Sequence, residues 1–211
     1  MKVGIIDYGV GNLGSVSRSL EELEVEAILI DKSENIHLAD VLILPGVGGF
    51  TECMTILNNQ GWTDQILYEV LDNNKPILGI CLGMQLLADY GQEGASSKKL
   101  TKGLGLVPGK VISLESLGCE LRIPHVGWNS IKIIGSPKLF DSIPEDTDFY
   151  FVHSYAFDVT AKESLIATFQ YGVEVTAAIN HNHIWGTQFH PEKSSRAGFR
   201  LLKNFIHSNQ C

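Results

Sequence analysis

The chain has 211 residues, of which 44% are hydrophobic and 19% charged. That is enough apolar material for a sizeable core, and it excludes wholesale disorder. The formal net charge of −8 argues against a general binder of phosphate backbones, which needs a basic face, so no nucleic-acid partner is expected.

The first residues, Lys2-Val3-Gly4-Ile5-Ile6-Asp7, read as a strand and lack the charged and apolar regions of a leader peptide. No apolar run approaches the roughly 18 residues of a membrane span. The expectation is a cytoplasmic protein with free thiols at Cys53, Cys81, Cys119 and Cys211 and no membrane partner. Strands are expected over Val3–Ile6, Ala27–Ile30, 41–44 and 77–80. They are rich in Ile, Leu and Val with little alternation, as in parallel strands buried on both faces. Residues 13–23, 50–58 and 64–71 carry apolar positions at helical spacing between them. The second half reads as strands over 107–114, 121–124, 131–134, 149–153, 165–170, 173–179 and 184–189. A hairpin turn is expected at 180–183 and a closing helix over 198–207. The fold class is α/β: an open, mostly parallel, doubly wound sheet with helices on both faces and an antiparallel-rich C-terminal half. One domain over residues 1–211 is the simplest organisation.

Two turns carry possible chemistry. Gly9-Val10-Gly11-Asn12-Leu13-Gly14 follows a strand and opens a helix, and Asp31 follows the second strand. That pattern fits a dinucleotide site, or simply a tight turn that brings helix and sheet close. The second turn is Gly79-Ile80-Cys81-Leu82-Gly83, between an apolar strand and an amphipathic helix. It is the cysteine form of a nucleophile elbow. The sharp turn lifts the thiol out of the sheet, and glycines at minus two and plus two let neighbouring backbone approach. The N–H groups of the following helix favour thiolate, and that of Leu82 is placed to bind an oxyanion. A lone buried cysteine is usually structural; the surrounding pattern favours the nucleophile.

A cysteine nucleophile needs a base and often a third group to orient it. Strand 184–189 runs into His190-Pro191-Glu192-Lys193. Residues i and i+2 of an extended chain share a side, so His190 and Glu192 are expected to face one site. His37 and His207 read as surface residues, and His125 and His153 as neighbours of the cleft. His181 and His183 sit in the expected turn. A metal site shared with His190 lacks supporting ligand spacing, so no metal is assigned. Cys53, Cys119 and Cys211 have no elbow around them and read as structural.

Six ordered motifs span nearly the whole chain: Asp7-Tyr8-Gly9-Val10-Gly11-Asn12-Leu13, Pro45-Gly46-Val47-Gly48, Gly79-Ile80-Cys81-Leu82-Gly83-Met84-Gln85, Pro124-His125-Val126-Gly127-Trp128-Asn129, Tyr150-Phe151-Val152-His153-Ser154-Tyr155 and Gln188-Phe189-His190-Pro191-Glu192-Lys193-Ser194. Together they resemble the class I, triad-type glutamine amidotransferases, and within them the glutaminase subunits of imidazole glycerol phosphate synthases. The resemblance implies glutamine as substrate, no cofactor, and a Cys81, His190 and Glu192 triad. It implies an oxyanion hole from the N–H groups of Val47 and Leu82. Gly46, Gly48, Gln85, His153, Ser154 and Tyr155 would hold the amino-acid end of the substrate. It further implies a heterodimer with a (β/α)₈-barrel cyclase that receives the ammonia, faced by Asn12, Trp128, Asn129, Tyr150 and Lys193. In such a family the 9–14 turn binds no dinucleotide. Gly14, Val126 and the segment Gly91-Gln92-Glu93-Gly94 depart from the pattern. A sugar-modifying synthase as partner, a nicotinamide-dependent oxidoreductase and a non-catalytic binding module stand as alternatives.

Overall fold

The structure, a computed structural model, describes residues 1–96 and 99–209. Four short apolar runs found the main sheet: β1 (Val3–Ile6), β2 (Ala27–Ile30), β3 (Val41–Gly46) and β4 (Ile77–Cys81). Helices α1 (Leu13–Glu22), α2 (Phe50–Asn59) and α3 (Trp62–Leu67) lie between them, and α4 (Leu82–Leu86) follows β4 directly. The later strands are β5 (Ala88–Ser96), β6 (Lys99–Lys102), β7 (Val107–Ser113), β8 (His125–Ser130) and β9 (Lys132–Ile133). Then come β10 (Asp148–His153), β11 (Tyr155–Val159), β12 (Leu165–Tyr171), β13 (Val173–His181), β14 (Ile184–Thr187) and a closing helix α5 (Ser195–Ser208).

The main sheet runs β2-β1-β3-β4-β14-β13-β12-β9. It is parallel as far as β14 and antiparallel beyond. Successive side chains of a strand point to opposite faces, and here both faces are covered. Val3, Ile5, Val41, Ile43, Leu78 and Ile80 share one core with Val16 and Leu20 of α1 and Leu201 and Phe205 of α5. Ile6, Leu42, Leu44 and Ile77 share the other with Leu57, Ile66 and Leu86 of α2, α3 and α4. The expected doubly wound sheet is therefore present, and its far half is antiparallel as expected. A second sheet runs β11-β7-β5-β6, and β8 with β10 forms a two-stranded ribbon.

Several expected elements differ. Residues 121–124 form no strand: Leu121 and Ile123 are exposed, and Pro124 has no N–H to give a ladder. The strand at 131–134 shrinks to the two residues of β9. The helix at 64–71 starts earlier as α3 and ends in a wider turn over Tyr68–Asp72, where Asn73 N–H reaches the Tyr68 carbonyl at 3.2 Å. The helix after Cys81 stops after five residues and gives way to β5.

Open α/β sheets bind ligands outside the carboxyl ends of their strands. Those ends of β3, β4 and β14 lie side by side, with Gly46 opposite Cys81 and Thr187 opposite Ile80.

Candidate active site

Cys81 ends β4 with φ of 55° and ψ of −111°. L-residues seldom adopt that region, and strain of this kind is costly. Crowding holds it there. A Cβ on Gly83 would sit 1.8 Å from the Leu44 carbonyl oxygen, and one on Gly79 would sit 2.6 Å from Met84 N. Helix and sheet touch backbone to backbone at this turn, and only glycine permits it. Because α4 is only five residues long, its N-terminus behind Cys81 offers unpaired first-turn N–H groups rather than an extended helix dipole.

His190 and Glu192 meet as the sequence implies, though by a different backbone path. β14 stops at Thr187, His190 is extended, and Pro191–Lys193 forms a 3₁₀ turn. His190 Nδ1 and Glu192 Oε1 are 2.8 Å apart, with both side chains buried. Glu192 Oε1 also accepts from Asn12 Nδ2 at 3.3 Å. Among the described residues, the buried His190 Nε2 has no hydrogen-bond partner in place, and the neighbouring Cys81 thiol is the group that can satisfy it. Burial alone would push the imidazole down. Hydrogen bonds and charge from Cys81 and Glu192 outweigh it and lift His190 to about 9. The arrangement favours an imidazolium beside the sulfur. Burial pushes the Cys53 thiol up instead, and its Sγ donates to the Val47 carbonyl at 3.5 Å.

The sulfur opens into a cleft of about 370 Å³ lined by Val47, Gly48, Leu82, Gln85, Glu93 and His190, among others. Gln85 Nε2 donates to the Tyr155 carbonyl at 2.9 Å and to Gln188 Oε1 at 3.0 Å. The Glu93 carboxylate is held by the Phe50 N–H at 3.0 Å. Burial nonetheless pushes its pKa up, so a cation placed beside it gains. His153, on the cleft wall, has its Nε2 3.1 Å from Nδ1 of His125. Burial depresses both rings, His153 to about 4. A cysteine, an imidazole on its sulfur and a carboxylate on that imidazole can transfer an acyl group through a thioester.

Comparison with known proteins agrees with this geometry. Residues 4–209 match the family model for glutamine amidotransferase class-I. The chain belongs to the class-I glutamine amidotransferase family. It is 45% identical over 207 residues to imidazole glycerol phosphate synthase subunit HisH 2 of Vibrio vulnificus, covering 98% of this chain and 94% of that protein. It is also 45% identical over 208 residues to the HisH subunit of the same synthase from Halalkalibacterium halodurans, covering 96% and 94%. A solved glutamine amidotransferase shares the fold, with a TM-score of 0.75 over 98% of each chain at 19% identity.

In this amidotransferase the structure brings most of the sequence-derived residues together. Val47, Gly48, Cys81, Leu82, Gln85, His153, Ser154, Tyr155, His190 and Lys193 all line the cleft. Gly46 is not among the lining residues; a Cβ there would meet Gly83 N at 2.7 Å, so its bare Cα lets the helix approach the strand. Trp128 packs edge-on against Tyr150 at 5.9 Å, and Lys193 Nζ lies 5.8 Å from the Tyr150 ring centre. Asn129 turns away and ties β8 to the Gln170 carbonyl at 3.0 Å. His181 bonds Ser164 and His183 bonds the Val70 carbonyl, away from His190. At the glycine-rich first turn, a Cβ on Gly14 would meet open space. The close helix–strand approach that a dinucleotide site asks of its third glycine is missing. Cys53, Cys81 and Cys119 are free; Cys211 lies outside the described residues. No described helix is long and apolar enough to cross a membrane. Sequence reasoning missed Glu93 and Gln188 as members of the site. Gln188 stood two residues before His190 in a quoted motif, but Glu93 lay in a strand, β5, that no periodicity announced.

Proposed function

We propose that this chain hydrolyses glutamine to glutamate at Cys81 and passes the ammonia to a barrel-type cyclase in imidazole glycerol phosphate formation. It would do so as one domain, in the cytoplasm. The observation that carries the chemistry is the buried His190–Glu192 pair at 2.8 Å with the free Nε2 turned to the sulfur. The names of the relatives at 45% identity over nearly the full chain support the pathway.

The Cys81 thiolate attacks the side-chain amide carbon, and the oxygen takes up negative charge. The N–H groups of Val47 and Leu82 stabilise it, each worth on the order of 10²–10³ in rate. His190, as imidazolium, gives its proton to the amide nitrogen, ammonia leaves, and a glutamyl thioester remains. His190 then takes a proton from water, the oxygen adds to the thioester carbon, and glutamate departs with sulfur restored as thiolate. Glu192 holds the ring and balances its charge throughout. The α-ammonium of glutamine suits the Glu93 carboxylate and Gln85 Oε1.

Ammonia is mostly protonated in neutral water and then cannot attack, so it needs a docked acceptor. An apolar rim supports one: Val47, Val126, Trp128 and Val152 are exposed, with Val126 and Trp128 at 56% and 53%. Val126 and Trp128 on β8 stand opposite Val152 and Tyr150 on β10. Singly exposed apolar side chains are ordinary; a group around a reactive cleft marks a docking surface.

The test is glutamate release from glutamine with the same organism's cyclase and its nucleotide substrate, comparing wild type with Cys81→Ala. Release should require both the cyclase and Cys81. Release by Cys81→Ala would overturn the nucleophile. Release with another synthase but not with the cyclase would reassign the acceptor.

A further inference from the structure

Gln188 has no part in the steps above, yet it is wholly buried beside the sulfur. Its Nε2 stands 3.7 Å from Cys81 Sγ. Which end of a carboxamide faces a partner has to be settled by its neighbours, and here they leave one solution. The Tyr155 carbonyl only accepts, so the Gln85 atom 2.9 Å from it is Nε2. That same Nε2 lies 3.0 Å from Gln188, whose facing atom is then the acceptor Oε1. The other end of Gln188, an N–H donor, points at the sulfur. His153 anchors the same carbonyl: its Nδ1–H donates to Tyr155 O at 2.9 Å, leaving Nε2 to accept from His125 Nδ1–H. The direction of each hydrogen bond in this buried chain is thereby assigned, from the His125 ring to Cys81.

We propose that Gln188 is a catalytic residue whose amide N–H donates to the Cys81 sulfur and favours thiolate over thiol. The inference rests on Cys81 being the nucleophile. Among the described residues, the sulfur's other hydrogen-bond contact is with the Val152 carbonyl at 3.7 Å. A carbonyl only accepts, so that contact is satisfied by the thiol alone. Cys81 is thus held between a group that favours its protonated form and one that favours its ionised form. His190 must release its proton to the leaving nitrogen and reclaim one from water. The Gln188 amide keeps its protons, so its donor persists when the thioester breaks and sulfur leaves as thiolate. Gln85 then acts on the reaction as a positioning residue too, because it fixes which end of Gln188 meets the sulfur.

The experiment follows alkylation of Cys81 by iodoacetamide across about pH 5–10, read on the Cys81 peptide by mass spectrometry. Wild type is compared with Gln188→Met, which removes the donor at similar length, and Gln188→Asn, which withdraws it from reach. Melting curves identify the variant that keeps the native fold. The expected result is a profile moved to higher pH by about half to one unit, the scale of one hydrogen bond, with kcat for glutamine hydrolysis lowered about 3–10-fold. In the wild type, the side-chain amide resonance of Gln188 should move as Cys81 titrates and stay still in Cys81→Ser. A folded variant with an unmoved profile, or an amide resonance blind to Cys81, would overturn the role of Gln188. A wild type whose Cys81 is no more reactive than its other cysteines would instead overturn the nucleophile itself.

Discussion

The two walls of the cleft are built on different terms. The inner wall stands on adjacent parallel strands, with Leu78, Gly79 and Ile80 of β4 opposite Trp185, Gly186 and Thr187 of β14. Its reactive groups are buried side by side: His190 pairs with Glu192 at 2.8 Å and has Cys81 as its other neighbour. The outer wall is the Val47-Gly48 turn and the β8–β10 ribbon, and it presents apolar side chains to solvent. Chemistry that must be precise is placed where packing fixes it. Access and timing sit where a second surface can act on them.

The most severe way to break the inner wall is Gly83→Ala. The added methyl would stand 1.8 Å from a backbone carbonyl in the core of the sheet, and neither backbone can yield cheaply. We expect loss of soluble, folded protein, or a displaced elbow with no measurable glutamine hydrolysis. A Gly83→Ala chain that melts and turns over like wild type would show that the close approach at the elbow does not matter.

The outer wall should break in the opposite way. Trp128→Ala combined with Val126→Glu alters exposed positions, so melting should stay within about 0.5 kcal/mol of wild type. Glutamine hydrolysis stimulated by the cyclase should fall about 10–100-fold, because a large aromatic at a docking surface tends to carry much of the binding energy. Titrating the cyclase separates the two walls: excess partner should recover the rate here and fail to recover it for Cys81→Ala. Undiminished affinity for the cyclase in the double variant would remove this rim as the docking surface.

A smaller effect belongs to the floor between the walls. Glu93→Gln keeps the shape and removes the charge offered to the substrate ammonium. We expect KM for glutamine to rise about 10-fold with kcat within about 3-fold, the pattern of lost uniform binding. An unchanged KM would mean that the ammonium is held elsewhere.

The same contrast governs what the sequence revealed. The parallel half was legible because a strand covered on both faces needs continuous Ile, Leu and Val, as in Val41-Leu42-Ile43-Leu44. The elbow was legible because glycine at 79 and 83 answers a steric demand. The outer wall was legible only in β10, expected over 149–153; its partner strand carried no such signature. β8 is written His125-Val126-Gly127-Trp128-Asn129-Ser130 and pairs only with β10, so one partner shapes it and no alternation betrays it. β5 escaped for a like reason: Gly91 and Gly94 interrupt any apolar alternation along it, while Gly91 in fact packs where a Cβ would lie 2.4 Å from the Phe50 ring. Glu93 became part of the site only through that strand. Gly46 shows a glycine whose steric reason the sequence did not disclose: its bare Cα lets α4 approach β3.

The slightest effect, and the one that reads the inner wall in solution, is the dependence of stability on pH. His190 is held at about 9 in the folded chain, against an ordinary value of about 6.5. A raised value means that the folded state binds the proton more tightly. Its contribution is therefore fully present below about 6.5 and is lost as pH rises through 9. His153 behaves in reverse. Its folded value of about 4 means that the unfolded chain takes the proton first, so stability falls as pH drops from about 6.5 to 4. The two buried rings thus place opposite slopes on either side of the same pH. Melting temperature followed across this range should show both limbs in the wild type. In Glu192→Gln the charge that helps to hold the imidazolium is gone, so the alkaline limb should flatten while the acid limb remains. An alkaline limb that survives Glu192→Gln at full slope would assign it to some group other than the His190–Glu192 pair.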